Sequence, residues 1–583
     1  MIDFAAVDMS SARRGTGATS LKMLTWQIRA VFLRLAFSVS TRRAGFVATS
    51  PSHATMHSAV LASSTSTRTS VAPRSFAAGR ARLRVQSSPS ARPIVRANAG
   101  GLGGGFSAAL DRLRREAAEA MQGAAGAAPS SAGTLVGVSF ADDAPSWDAL
   151  EARVAELRAQ HGLPAADDLE NGPANPKALL RRFGSSPDDE PRVLFYRDHA
   201  AWCPYCQKIW MQLEEKRIPY RVDKINMRCY GDKKPSFTAK VPSGMLPVME
   251  IDGAMITDSA AIAAALESTF PETPLLPADG TPERARASEL LKLERALFSR
   301  WMGWLTSGWA DGQNRSGFEE ALDLVDAELR ATPGPYFLGE SFSLVDITYT
   351  PFLERMAASL AYYKGFRMEG GGRWAGLDAW YAAMASRPAY AGIKSDYYTH
   401  CHDLPPQLGG CEANGDEEQR AMRAAIDGEG DAWRLPLAPL SAASSPEPSW
   451  TGEDAELDRL EAASAVVRNK EAVVRFAARG CGKAGTRPVS APLSDPTATP
   501  GEAHIPAVDA ALRRVAHELL EGSAAATGAE TRVDTDAGSL AGAPAADALA
   551  YLRDRVGVPR DMKYPAARQL RAHLNWFVDA LEA

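Results

Sequence analysis

The sequence predicts an α/β domain in the order β-α-β … β-β-α, then an all-helical region and a further helical extension. Three observations predict it. An apolar run, Val193-Leu194-Phe195-Tyr196, leads into Trp202-Cys203-Pro204-Tyr205-Cys206, and a stretch with helical spacing follows at once, with Ile209 and Leu213 among its apolar positions. Asp252-Gly253, a hairpin pair, stands between two apolar runs. From Thr281 the pattern becomes helical, with Ala287, Leu290, Leu291, Leu297, Trp301 and Trp304 on its apolar positions.

The elements follow in order. Residues 1–97 carry 14 Lys+Arg against 2 acids and are rich in Ser, Thr and Ala. That composition is expected of an organelle transit peptide, to be set apart from the fold. Ile94-Val95-Arg96-Ala97 resembles a plastid cleavage region, so the expected address is the chloroplast stroma, with the mitochondrion as the alternative. Without this stretch the net charge of −5 becomes −17. An acidic chain of that kind is a poor phosphate-backbone binder, so no nucleic acid partner is expected. No apolar run is long enough to span a bilayer. Six cysteines in 583 residues are too few for a disulfide scaffold and suit a reducing compartment.

Residues 98–190 read as a linker and helical lead-in. The stretch 98–105 is glycine-rich, 106–121 has helical spacing, and Ser146 is placed to cap a helix whose stripe is Leu150, Val154 and Leu157. This lead-in is expected to pack on the domain that follows. Residues 191–275 form the α/β domain. Its strands are expected at 193–196 and 220–225, its first helix at 204–216, a hairpin around Asp252-Gly253, and a last helix opening at Asp258-Ser259. Residues 281–395 form the all-helical domain, with Ser343 and Asp346 at capping-box spacing. Residues 396–583 form the extension. In it, 397–411 reads as a loop, about 435–452 and 522–546 as disordered linkers, and 457–480, 505–520 and the run from Pro565 as helices.

The chemistry is expected at the junction of strand and helix. A helix N-terminus presents unpaired amide N–H groups and partial positive charge, which favour an anion. Cys203 sits at that mouth and Cys206 one turn further in, close enough to attack a mixed disulfide formed on Cys203. No second cysteine pair completes a zinc site, so no metal is expected. The plain reading, two inert core cysteines, competes with redox chemistry.

Cys203-Pro204-Tyr205-Cys206, Leu246-Pro247-Val248 and Asp258-Ser259, in that order over roughly 80 residues, resemble the landmarks of the glutathione transferases and glutaredoxins. The resemblance is to their thioredoxin-like N-terminal domain, and closest to the cysteine-type branch that includes the omega class. The helical region is similar to the second domain of the transferases. The resemblance implies a cis Pro247 that presents the Leu246 backbone to an extended peptide, glutathione. It implies that Ser259 and the helix amides meet the γ-glutamyl carboxylate. Asp258 would meet the ammonium, and Lys233 or Lys234 the glycyl carboxylate. Tyr205 would border the same site. Phe298, Trp301 and Trp304 are candidates for the acceptor site, with helix-bundle core as the rival reading.

The implied function is a glutathione-dependent thiol transferase or oxidoreductase. Cys203 would form a mixed disulfide that glutathione or Cys206 resolves, and glutathione would be a co-substrate. The acceptor is a small molecule or a protein disulfide. Two alternatives stay open: a glutathione-binding or protein-interaction scaffold without turnover, and a glutathione-ligated iron–sulfur carrier. A homodimer and a protein partner for the extension also stay open.

Overall fold

A computed structural model describes residues 144–441, 445–450, 454–486, 491–522 and 542–582, with the two-residue strands β1 (Val138–Ser139) and β7 (Val533–Asp534), which pair in parallel. All of these fall in one compact unit, and residues 37–132 lie outside the described residues. The transit-peptide expectation, the 98–105 linker and the 106–121 helix also lie outside them.

The α/β domain is a five-stranded sheet in the order β2-β4-β3-β5-β6. After α1 (Trp147–Gln160) come β2 (Leu180–Arg181), β3 (Val193–Asp198), α2 (Pro204–Lys216), β4 (Tyr220–Ile225), α3 (Pro235–Lys240), β5 (Val248–Ile251), β6 (Ala254–Ile256) and α4 (Ser259–Thr269). Strands β3 and β4 run parallel, as a strand-helix-strand crossover requires, while β5 and β6 return antiparallel through the Asp252-Gly253 turn. Asp252 and Gly253 both have positive φ, at 50° and 82°, as that tight turn demands. The Leu246–Pro247 bond is cis.

The helical region holds α5 (Pro282–Leu305), α6 (Asp311–Arg330), α7 (Leu344–Lys364), α8 (Ala375–Ala385) and α9 (Pro388–Ala391). Helix α7 runs through the middle and is buried almost along its whole length. Its start carries the expected box: Asp346 Oδ2 accepts from Ser343 N at 2.9 Å, and Ser343 Oγ accepts from Val345 N at 3.2 Å. The extension adds α10 (Tyr397–Leu408), α11 (Glu417–Ile426), α12 (Ala455–Arg468), α13 (Lys470–Ala477), α14 (Ile505–Glu521), α15 (Gly542–Arg553) and α16 (Tyr564–Glu582). Among the described residues no helix is long and apolar enough to cross a membrane.

Five expectations need correction. Helix α1 is capped by Ser146, but it does not pack on the α/β domain: Leu150, Val154 and Leu157 join the core formed by α12 to α16. The rest of the lead-in does reach the domain. It supplies edge strand β2, whose Arg181 makes a buried pair with Glu214 of α2 at 2.9 Å.

Residues 397–408 are a buried helix rather than a loop. Asp396 caps it by accepting from Thr399 N, and Gly409 ends it at φ 81°. Pro405 inside the helix cannot bond to the Cys401 carbonyl one turn back, and Tyr363 Oη donates to that oxygen at 2.9 Å instead. A tertiary contact thus satisfies the group that proline leaves open.

In the segment read as a linker around 435–452, Leu435, Ser445 and Glu447 are buried. Residues 542–546, inside the stretch read as disordered, begin α15, and Ala545 and Ala546 are in the core. The run 457–480 is two helices, α12 and α13, divided at Asn469.

Candidate active site

Cys203 is the N-cap residue of α2, half-buried, with Pro204 as the first helical residue. Cys206 lies one turn in and is 1% exposed. Burial, then the neighbouring Cys203, pushes the Cys206 thiol well up. The loop from β3 to α2 is fixed by Asp198, whose Oδ2 accepts from Trp202 N at 2.6 Å. Asp198, Cys203 and Cys206 bring one carboxylate oxygen and two sulfurs within 4.8 Å of one another. That donor set could hold a soft divalent ion, though the carboxylate is already an acceptor for Trp202.

Behind the motif lies a buried polar network. Arg355 of α7 donates to Gln207 Oε1 at 2.8 Å, to Pro351 O at 2.6 Å and to the carbonyl of Trp202. Its guanidinium lies 4.8 Å from the Trp202 ring centre. Gln207 in turn donates to Glu354 Oε2 at 2.7 Å. The Trp202 indole donates from Nε1 to His400 Nδ1 at 3.1 Å, so the ring's proton is on Nε2, which faces Glu354 Oε1 at 3.5 Å. Burial pushes the His400 imidazole down, which keeps it neutral.

In front of Cys203 opens a cavity of about 200 Å³. The motif contributes Cys203, Pro204 and Tyr205; α5 contributes Phe298, Trp301 and Met302; α7 contributes Phe352 and Arg355. The Tyr205 ring meets Phe352 edge-on at 5.6 Å, and Phe298 does the same at 5.2 Å. Three further side chains, Leu404, Gln407 and Leu408, come from α10 in the extension.

Trp304 needs correcting as an acceptor-site candidate. It is fully buried against Phe318 and Phe366, and its Nε1 donates to Asp311 Oδ1 at 2.8 Å. Three positions along from Trp301, it turns into the bundle while Trp301 reaches the cavity, where Trp301 donates to Ser359 Oγ at 3.0 Å.

The residues expected around glutathione divide. Lys233 donates to Asn226 O at 2.6 Å, and burial lowers its ammonium against the charges of Cys203 and Cys206. The loop that leads to Leu246 crosses its stem: at Gly244, φ 62°, an added Cβ would stand 3.3 Å from Lys233 Cδ. Lys234 instead pairs with Asp223 at 2.7 Å on the exposed side of β4. Asp258 caps α4, its Oδ1 accepting from Ala260 N and Ala261 N at 2.9 Å, and Ser259 is the first helical residue. Burial, then the neighbouring Arg295, lowers the ammonium of Lys208, while Glu294, Asp258 and Cys203 act to raise it.

Sequence reasoning missed Lys208, Arg355 and the α10 side chains. Lys208 was legible, one turn after Pro204 on the helix face that follows Cys203. Arg355 carries no local signal, because an arginine inside an apolar helix reads as an exception until its partners are known.

The description "Glutathione S-transferase, N-terminal domain" matches residues 202–269, and "Glutathione S-transferase, C-terminal domain" matches residues 286–383. Glutathione S-transferase DHAR2 of Arabidopsis thaliana is 29% identical over 28% of this chain and 71% of its own length. The chloroplastic Glutathione S-transferase DHAR3 of the same plant is 31% identical over 28% of this chain and 58% of its length, so the chain spans a little over half of that relative. A solved dehydroascorbate reductase of Chlamydomonas reinhardtii is 24% identical, covering 35% of this chain and 92% of that one, with a TM-score of 0.29.

Proposed function

We propose, from the premise that the chain belongs to the glutathione S-transferase family, that it is a glutathione-dependent thiol transferase with Cys203 as its nucleophile. The observation that carries this reading is the position of Cys203: half-buried at the start of α2, facing a cavity, with the cations Lys208, Lys233 and Arg355 in electrostatic reach. Positive charge and helix amides attract an anionic tripeptide and favour an anionic sulfur in the transition state.

The sequence of steps is as follows. The Cys203 thiolate attacks the glutathionyl sulfur of a mixed disulfide, a Cys203–glutathione bond forms, and the acceptor thiolate leaves and takes a proton. A second glutathione, as thiolate, attacks the bound glutathionyl sulfur. Oxidised glutathione departs and the Cys203 thiolate is restored. Glutathione is the better resolving group here, because Cys206 is closed off from solvent and its burial disfavours the thiolate. Lys233 is the preferred partner for the glycyl carboxylate, since it lies within the charge field of Cys203 and Cys206 whereas Lys234 is ion-paired with Asp223. Leu246, Asp258 and Ser259 complete the glutathione site, Asp258 acting through the oxygen that does not cap α4.

The test is a glutathione-coupled assay on a panel of acceptors: hydroxyethyl disulfide, a glutathionylated peptide and dehydroascorbate. Cys203→Ser is expected to remove activity on every acceptor and Cys206→Ser to keep it. Equal rates for wild type and Cys203→Ser would exclude the enzyme reading and leave the scaffold alternative. Lys233→Ala is expected to raise the KM for glutathione more than Lys234→Ala does. The plastid is the proposed address, supported by the basic composition of residues 1–97 and the chloroplastic relative. A fluorescent fusion of residues 1–97 that stays outside plastids would refute it.

A further inference from the structure

Behind the cysteine motif five buried side chains close a ring of polar contacts, and one of the five lies outside both family-matched segments. Trp202 and Gln207 belong to the first segment, Glu354 and Arg355 to the second, and His400 to α10 in the extension. We propose that His400 is a positioning residue for the Cys203 nucleophile: it closes the ring that fixes the Trp202–Cys203 peptide and the Arg355 guanidinium beside it, so the reactivity of the sulfur depends on the extension. This rests on Cys203 as the nucleophile and adds a residue that acts on it through Trp202.

Three observations carry it. The first is that the ring is closed. The Trp202 indole donates to His400 Nδ1 at 3.1 Å, and His400 Nε2 faces Glu354 Oε1 at 3.5 Å. Glu354 Oε2 accepts from Gln207 Nε2 at 2.7 Å, and Gln207 Oε1 accepts from Arg355 at 2.8 Å. Arg355 then returns to the carbonyl of Trp202. His400 is 0% exposed, and a buried polar group that loses its partner has no solvent to turn to.

The second is where the ring meets the motif. Trp202 immediately precedes the nucleophile. Its backbone N–H is held by Asp198, its carbonyl by Arg355 and its indole N–H by His400. Arg355 Nε has no partner among the described residues, so the orientation of the guanidinium depends on its terminal nitrogens, which bond to Gln207, Pro351 and Trp202. Trp202, Cys203 and Arg355 line the same cavity. Burial works against the Arg355 cation, while Glu354 and then Cys203 act to keep it.

The third is the chemistry of the joint. An indole N–H only donates and an ionised carboxylate only accepts, so the group between them must accept at one end and donate at the other. The neutral imidazole of His400 does both. It is carried on a helix that is itself held: Asp396 caps α10 and pairs with Arg571 of α16 at 2.7 Å, and Asp403 accepts from Tyr230 Oη at 3.0 Å. A supporting group fixed in this way can hold a reactive one to a narrow range of positions.

The experiment uses the full chain and alkylation by iodoacetamide at neutral pH, read at the Cys203 peptide by mass spectrometry. His400→Leu removes both contacts. His400→Asn keeps an acceptor where Nδ1 stands, and His400→Gln places its amide where Nε2 stands, toward Glu354. The leucine and glutamine variants are expected to slow alkylation of Cys203 by roughly tenfold, and His400→Asn to restore most of the rate. The same order is expected in kcat with hydroxyethyl disulfide, with the KM for glutathione changed by no more than about twofold. The Asn and Gln variants are both polar amides, so their comparison stands even where the leucine variant does not fold. In a Trp202→Phe background, which lacks the indole donor, His400→Leu is expected to add little. Equal rates for wild type and His400→Leu, no difference between the Asn and Gln variants, or the same loss from His400→Leu in the Trp202→Phe background would overturn the proposal. Alkylation needs no turnover. The expected order of rates in a chain without transferase activity would refute the thiol-transferase reading and keep the role of His400; a flat order beside full activity would do the reverse.

Discussion

The described residues form two large hydrophobic cores, and they are built from different side chains. The core under the cysteine motif is aromatic: Trp202, Trp301, Trp304, Trp380, Phe352 and Tyr349 are among its buried residues. The core of α1 and α12 to α16 is aliphatic and richer in alanine, with Ala462, Ala463, Ala511, Ala516, Ala566 and Ala567 buried between Leu and Val side chains. Alanines let helix backbones approach closely and leave little for a ligand to touch. Large rings with indole and phenol handles pack at angles, accept buried polar partners such as Arg355 and Asp346, and frame the space in front of Cys203. The difference teaches which half is shaped to hold a ligand and which half serves as a mounting. Helix α10 and its Asp396–Arg571 pair are where the mounting meets the site.

The division breaks most sharply at Cys203. Cys203→Ser is expected to lower turnover by about a thousandfold or more while thermal unfolding of the alanine-rich core stays in place, measured by steady-state kinetics beside calorimetry. The next largest effect is at the joint. Arg571 and Asp396 are both buried, so Arg571→Leu leaves a carboxylate without its partner and is expected to cost about 3–5 kcal/mol in urea unfolding. It should also alter the KM for the acceptor, because α10 loses an anchor. A variant that is destabilised with an unaltered acceptor KM would separate mounting from site.

Trp304→Phe tests the reassignment of that residue. It removes the donor to Asp311 and is expected to cost about 1–3 kcal/mol with kcat/KM unchanged. The last test is of pH dependence. Burial pushes the Asp403 carboxyl from 3.8 up to about 7. Across that window the folded chain holds a proton that the unfolded chain has lost. The stability from this group is therefore fully present below the ordinary carboxyl value and declines as pH rises toward about 7. His573 in the other core has the opposite sign, since burial lowers it from 6.5 to about 4, and stability from it grows as pH rises through that range. Asp403→Asn is expected to flatten the fall of Tm between those pH values, and an unchanged slope would remove Asp403 from the account.

Much of the site's frame was legible because its signals are local. A proline after a cysteine marks a helix start, Asp-Gly between apolar runs marks a hairpin, and Ser343 three residues before Asp346 marks a cap. Residues 397–408 did not read as a helix: Pro405 and Pro406 stand inside it, and the Cys401 carbonyl that Pro405 leaves open is satisfied by Tyr363, 38 residues away. Trp301 and Trp304 share one apolar stripe in sequence, and only the packing of Phe318 and Phe366 decides that the second faces inward.

By itself the sequence determined the strand and helix order, the capped starts and the placement of Cys203 and Cys206 at the head of α2, because each depends on backbone preferences and neighbours within one turn. The tertiary structure alone decided that an arginine of α7 and three side chains of α10 close around that sulfur. Burial and hydrogen bonding between residues such as Trp202 and His400, 198 positions apart, are set by how the helices pack and leave no periodic trace in the chain.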